Sequence, residues 1–190
     1  VRYQGGSNAG HTIINDYGKF ALRTLPSGVF HPNVTNIIGP GVALDAGVLL
    51  DELQELSARG IPGPKLLISE RAQIVLPVHR LFDVLEEERL GTRSFGSTKR
   101  GIAPFYADKY AKLGIQVGDL RDVSRLRDRI AQLLEPKNAL LQHLYGHAPI
   151  QADEWLSQLQ EYAASLAPYV CDTTSVLHKA YRSGAVILLE

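Results

Sequence analysis

Gln4-Gly5-Gly6-Ser7-Asn8-Ala9-Gly10-His11-Thr12 is the stretch whose residue types could do chemistry. Its three glycines can take positive φ and let backbone approach a ligand closely. Asn8 brings an amide donor and acceptor, and His11 an imidazole that exchanges a proton near neutral pH. Such a loop would suit an anion or a heterocycle carbonyl. It is not GxGxxG, and it lacks the Lys-Ser/Thr ending of a Walker phosphate loop. On pattern alone, a tight turn with a surface histidine accounts for it equally well. A second stretch, Gly96-Ser97-Thr98-Lys99-Arg100-Gly101, offers hydroxyls. Lys99, Arg100, Lys109 and Lys112 place four cations in a short span, with Asp108 the one acid among them. Phosphate capture by hydroxyls, backbone N–H groups and a cation is one reading; a solvated basic edge is the other.

Regular elements must hold these loops. Val1-Arg2-Tyr3 reads as a strand running into the first. His11–Ile14 and Lys19–Leu22, around Asn15-Asp16-Tyr17-Gly18, predict a β-hairpin, and Pro26-Ser27-Gly28 a turn. Asn36–Gly39 predicts a short buried strand ended by Pro40-Gly41. Asp45 is a good N-cap for a helix with Ala46, Leu49, Leu53 and Leu56 on one face, stopped at Gly60. Lys65–Ser69 reads as a buried strand, and Pro77 opens a helix with Leu81, Phe82 and Leu85 inward. On that helix Glu86-Glu87-Glu88-Arg89 reads as a solvated face and His79 as a surface or packing residue. Thr92–Tyr106 predicts a loop.

Beyond Leu120 the texture is helical. Val123, Leu126, Ile130 and Leu133 form a stripe that Pro136 breaks, and Asn138–Leu144 a short helix. Trp155, Leu159, Tyr162 and Leu166 form the next stripe, with Trp155 in the core; Asp172 caps a last helix. Ala185–Leu189 predicts a five-residue buried strand. His31, His143, His147 and His178 lack paired spacing and read as structural. Strands alternating with helices give an α/β fold. The expectation is a largely parallel (mixed) sheet with flanking helices, a β-hairpin near the N-terminus and a helical insertion over about residues 120–182 of a 1–190 domain. Ligands in such sheets sit at the strands' carboxyl ends.

Charge and composition exclude several classes. Lys plus Arg equals Asp plus Glu at 20 each, so the bulk basic character of a nucleic-acid protein is missing. A single cysteine, Cys171, rules out an internal disulfide and a cysteine zinc cluster, and reads as a small buried residue. The longest apolar run, Ala185 to Leu189, is far below the roughly 20 residues of a membrane span. No membrane partner and a cytoplasmic location are the expectation.

The complete first string resembles the substrate loop of adenylosuccinate synthetases, where the form is QGG, one variable residue, then NAGHT; Ser7 stands at the variable place. Gly96 to Pro104, continuing Tyr106-Ala107-Asp108-Lys109, is similar to that family's GTT-x-x-GIGP loop. Leu25-Pro26-Ser27-Gly28 and Ile37-Ile38-Gly39-Pro40-Gly41-Val42 also fit, in the family's order, so the resemblance covers nearly the whole chain. It implies a GTP-dependent ligase that condenses IMP with L-aspartate in purine (AMP) synthesis. GTP phosphorylates the purine 6-oxygen, and aspartate then displaces that phosphate. It implies His11 as general acid, the Gly10 main-chain carbonyl as a Mg²⁺ ligand, and Asn8, Ala9, Gly10 and His11 in the segment that meets IMP. Thr98 matches the threonine on the IMP 5′-phosphate. Lys112 stands where many members have an arginine that reaches that phosphate across a homodimer; lysine keeps the charge without the bidentate fork.

The family also has a QWGDEGKGK-type loop ahead of the position of Val1, with a catalytic aspartate and a phosphate-binding lysine. Its aspartate- and guanine-binding parts follow the position of Glu190. The resemblance therefore implies an internal fragment of a little under half of a synthetase, inactive by itself. The competing expectation is a non-catalytic IMP-binding or interaction module.

Overall fold

Along the chain of the computed structural model, which describes residues 1–190, β1 (Arg2–Gly5) leads into the antiparallel pair β2 (His11–Asn15) and β3 (Gly18–Leu22). There follow β4 (Thr35–Leu44), α1 (Ala46–Ala58), β5 (Lys65–Ser69), β6 (Gln73–Ile74) and α2 (Pro77–Leu90). Then come α3 (Ile102–Tyr110), α4 (Val123–His143), α5 (Asp153–Leu166), β7 (Val170–Cys171) and α6 (Thr173–Arg182). The main sheet has the order β1-β4-β5-β7, and β6 joins β4 beyond the end of β5. Every pairing in it is parallel. The fold is the expected α/β one, with helices flanking the sheet and a separate N-terminal hairpin.

Local chemistry explains several elements directly. Asn15 Oδ1 accepts the Tyr17 N–H at 3.0 Å, and Gly18 takes φ 114°, which closes the hairpin. The Asp45 side chain accepts from Val48 N and caps α1. Pro77 opens α2, where its missing N–H costs no helical bond. One core of 30 residues runs between the sheet and helices α1, α2, α4 and α5, with Trp155 in it as expected. A smaller cluster of Ala43, Val75 and Phe105 ties α3 to the carboxyl end of β4.

Four expectations need correction. Pro40-Gly41 does not end β4, which continues to Leu44. Arg2 pairs with Ile38 and Gln4 with Gly41, so β4 bulges by one residue opposite Tyr3. Proline is tolerated at such an irregularity because a ladder bond is already given up there. Pro136 does not break α4, which runs through it for 21 residues. Its cost falls on the exposed face, at Gln132, while Leu126, Ile130, Leu133, Leu134 and Leu141 continue the buried stripe on the other side. The Thr92–Tyr106 loop is shorter than expected, because α3 begins at Ile102 and Pro104 falls in its first turn.

The Ala185–Leu189 strand is absent. That stretch is irregular, with Val186 99% exposed. Only its end pairs: the Leu188 carbonyl accepts from the Val1 amino group at 2.7 Å, the Glu190 N–H donates to the Val1 carbonyl and the Glu190 carbonyl accepts from Tyr3 N–H, a parallel pattern on the free side of β1. An apolar run becomes a strand only where a neighbour supplies backbone partners. No helix is long and apolar enough to cross a membrane.

Candidate functional site

The first loop, residues 6–10, leaves the carboxyl end of β1 beside the end of β4, where the topology of a parallel sheet predicts a ligand. Gly6 and Ser7 are buried, whereas Asn8, Ala9 and Gly10 are exposed. A Cβ on Gly6 would stand 2.8 Å from Ile102 Cδ1 and 3.0 Å from Ala43 Cβ. The glycine is therefore needed for close approach, and the group it approaches belongs to the second loop's Gly101-Ile102 end. The two distant stretches thus meet in space.

Ser7, at the variable position, is fully buried and donates to Asp45 Oδ2 at 3.3 Å. Arg80 from α2 reaches the same carboxylate oxygen. Asp45 is thus helix cap and loop anchor together. Arg2 and Arg23 donate to the Gly6 and Ser7 carbonyls at 3.2 and 3.3 Å. Buried Glu52 of α1 accepts from the backbone N–H groups of Arg23, Thr24 and Leu25, and so sets the turn that carries Arg23. His11 opens β2 half-buried, and its Nε2 is a buried ring nitrogen with no hydrogen-bond partner. An unpartnered polar atom is costly unless something else completes it.

The second loop hangs on α2. Asp83 Oδ1 accepts from Ser97 Oγ at 2.6 Å, and Asp83 Oδ2 accepts from Gly101 N at 2.8 Å. Gly101 has φ 75°, and a Cβ there would come within 2.6 Å of the backbone of His79 and Arg80. Thr98 is exposed at the loop's apex. Lys99 and Lys112 both hold positive φ and are exposed. Lys109 departs from the expected cation cluster. Its Nζ donates to the Pro40 carbonyl at 3.0 Å, and burial pushes its pKa below the usual lysine value.

Behind both loops lies a polar cluster that sequence reading missed. His79, fully buried on α2, accepts the Leu76 N–H at Nδ1, so Nε2 carries the proton donated to Asp108 at 2.9 Å. Lys137 of α4 reaches the same Asp108 oxygen at 2.9 Å and lies over the Phe82 ring at 4.6 Å. Burial pushes the His79 pKa down, against the opposing pull of the Asp108 carboxylate. Burial raises the Asp108 carboxyl, but the hydrogen bonds and charge of His79 and Lys137 outweigh it and leave the pKa below the ordinary value. Asp108 is therefore not a member of a surface cation patch but the hinge of a buried triad. The charge run on α2 is also not wholly solvated. Glu86 bonds Arg89 and Tyr145, and Glu87 accepts from Phe95 N and Gly96 N at 3.0 Å each. The missed signal was position: His79, Phe82 and Asp83 share the inward stripe of α2, where polar residues need partners.

No three His, Cys, Asp or Glu side chains gather as a metal cluster. Any metal here would depend on main-chain oxygen such as that of exposed Gly10 and on oxygens of its ligand.

The comparisons agree along the whole chain. A family model described as adenylosuccinate synthetase matches residues 1–190. An adenylosuccinate synthetase of Dehalococcoides mccartyi is 45% identical over 190 residues, all of this chain and 45% of the relative. One from Heliobacterium modesticaldum is 44% identical, over all of this chain and 44% of its own. Among solved structures, the fully ligated adenylosuccinate synthetase from Plasmodium falciparum matches with a TM-score of 0.82 at 28% identity, covering 100% of this chain and 44% of that one. The chain thus spans a little under half the length of these relatives.

Proposed function

The chain belongs to the adenylosuccinate synthetase family, and on that premise we propose that it serves as part of a GTP-dependent ligase joining IMP to L-aspartate. The observation that carries this reading is the buried, unpartnered Nε2 of His11 in a glycine-rich loop at the sheet's carboxyl end. The purine 6-oxygen gains negative charge as it is phosphorylated. An imidazole N–H aimed at it would complete the orphan nitrogen and stabilise that charge, and donors of this kind contribute on the order of 10²–10³ in rate. Asn8 and Ala9, exposed next to it, would receive the nucleotide, and Thr98 its 5′-phosphate. The meeting of the loops at Gly6 and Ile102 supports one ligand spanning both.

Mg²⁺ would be held by the Gly10 carbonyl together with phosphate oxygens, which suits an ion that takes few protein ligands and keeps the rest of its oxygen shell from substrate and water. When bound it supplies charge neutralisation on the transferring phosphate. Lys112, exposed at positive φ, would reach the nucleotide phosphate of a partner subunit in a homodimer as a point charge. A cytoplasmic setting fits such an activity. The test is condensation of IMP with aspartate by the full-length protein, followed by ultraviolet absorbance. Turnover that requires IMP, aspartate and GTP together supports the reading. IMP binding without turnover would favour a non-catalytic IMP-binding module, and absence of both would overturn the proposal.

A further inference from the structure

Two carboxylates one turn apart on α2 take up the backbone of the second loop. Asp83 holds Ser97 Oγ and Gly101 N, and Glu87 holds Phe95 N and Gly96 N. All four carboxylate oxygens are used, each by a different donor at 2.6 to 3.0 Å. Asp83 is 8% exposed, so its bonds are shielded from water. The same Ser97 oxygen accepts the Lys99 N–H at 3.1 Å. A relay therefore runs from Lys99 N–H through the Ser97 hydroxyl to Asp83. It fixes Lys99 at φ 55°, a conformation that a lysine adopts only when its surroundings impose it.

The arrangement has a consequence for anion binding. Donors of residues 95, 96 and 101 are spent on α2, and the Lys99 N–H on Ser97. What is left around the apex is the amides of Ser97, Thr98 and Arg100 and the Thr98 hydroxyl, with the cationic side chains of Lys99 and Arg100. A negatively charged pair of side chains behind the loop would repel an anion unless its charge were met by those donors. Here all four carboxylate oxygens accept hydrogen bonds, which disperses it.

We propose that Asp83 and Glu87 are positioning residues that hold the Ser97–Gly101 loop in the shape that selects a nucleoside monophosphate over its nucleoside. This rests on the reading of that loop as the 5′-phosphate site. Neither carboxylate touches the nucleotide; both act through the loop.

The experiment is equilibrium titration of the full-length protein with IMP and with inosine, which lacks the phosphate. Asp83→Ala should weaken IMP binding about tenfold, the loss expected for one well-formed charge-assisted bond, and leave inosine binding unchanged. Asp83→Asn should stay within about threefold of wild type, because a carboxamide can accept from Gly101 N and donate to Ser97 Oγ. Equal losses for IMP and inosine in Asp83→Ala, or undiminished IMP preference, would overturn the proposal. Glu87→Ala serves where Asp83→Ala does not fold, since its partners Phe95 and Gly96 are exposed. It should speed hydrogen exchange at Gly96 but not Gly101 and weaken IMP by about threefold. Unchanged IMP affinity alongside faster Gly96 exchange would count against the proposal. A wild-type protein that binds inosine as tightly as IMP would instead remove the phosphate-site reading itself, which the variants do not affect.

Discussion

Replacing Asp108 by leucine tests the buried triad quantitatively. His79 Nε2 and Lys137 Nζ each lie 2.9 Å from the same Asp108 oxygen, and the three side chains are 0%, 8% and 8% exposed. Deleting the carboxylate strands the Lys137 ammonium in the interior with only the Phe82 ring beneath it, and a cation–π contact returns about 0.5–2 kcal/mol. It also leaves the His79 N–H unpaired, at about 1–3 kcal/mol. Breaking a buried pair from one side costs about 3–5 kcal/mol in all. Asp108→Leu should therefore lose about that much stability, or about 6–20 °C in Tm for a domain of this size. Adding Lys137→Met removes the stranded charge and leaves a thioether stem on Phe82. The double variant should then be more stable than Asp108→Leu, with a residual loss of about 1–3 kcal/mol from His79. Urea unfolding followed by fluorescence of Trp155, the single and buried tryptophan, reads both. If the two substitutions simply add, or the double variant is the weaker, the three side chains are not one electrostatic unit.

Three further outcomes follow. His79 is held neutral and its pKa lies below the ordinary value near 6.5, so the unfolded chain takes up a proton there before the folded chain does. Its stabilising contribution should be complete above about pH 6.5 and decline as pH falls below that, by up to about 1.4 kcal/mol per unit. Urea titrations at pH 7 and 5.5 should show this in wild type and not in His79→Gln, and matching slopes would assign the acid sensitivity elsewhere. His11→Ala in the full-length protein should lower kcat for GTP-dependent condensation by at least about 10²-fold, and near-normal turnover would remove the imidazole from the reaction. Gly6→Ala pushes a methyl against Ile102 Cδ1 and Ala43 Cβ and should cost about 1–3 kcal/mol in unfolding experiments. Ile102→Val, which deletes the nearest atom, should recover part of it; no recovery would mean that the loops do not press on each other there.

Sequence alone revealed the elements whose signals are local. The Asn15–Gly18 turn, the Asp45 cap, the Leu66-Leu67-Ile68 strand and the Pro77 helix start each depend on a few adjacent residues, and each stands where expected. Pro40, Pro136 and Pro104 misled because a proline's cost depends on which backbone bond it removes. At a bulge, on an exposed helical face or in a first turn that bond is dispensable. The apolar run Ala185–Leu189 misled for the opposite reason, since its local signal is good but strand formation needs a partner. The loops were legible by their residue types, yet what holds them was not. Asp83, Glu87, Glu52 and the His79–Asp108–Lys137 triad make bonds between residues 8 to 29 positions apart, and no spacing rule connects them.

One element resolves why loops ninety residues apart in sequence can serve one ligand. In its first three turns α2 presents His79 to Asp108 of α3, Arg80 to Asp45 under the first loop, and Asp83 and Glu87 to the second loop. Gly101 must be glycine because the second loop returns onto the backbone of His79 and Arg80. Any rotation of α2 about its axis would therefore act on both loops, on Ser97 directly through Asp83 and on Ser7 through Arg80 and the Asp45 carboxylate that they share. Flexible tethers would let each loop sample its own positions and would leave the ordering of both to be done at binding, at a cost in entropy. Linking both to one helix whose inner face is packed into the core places that cost in folding, where the core of 30 residues opposes it, so the nucleotide meets a site already assembled.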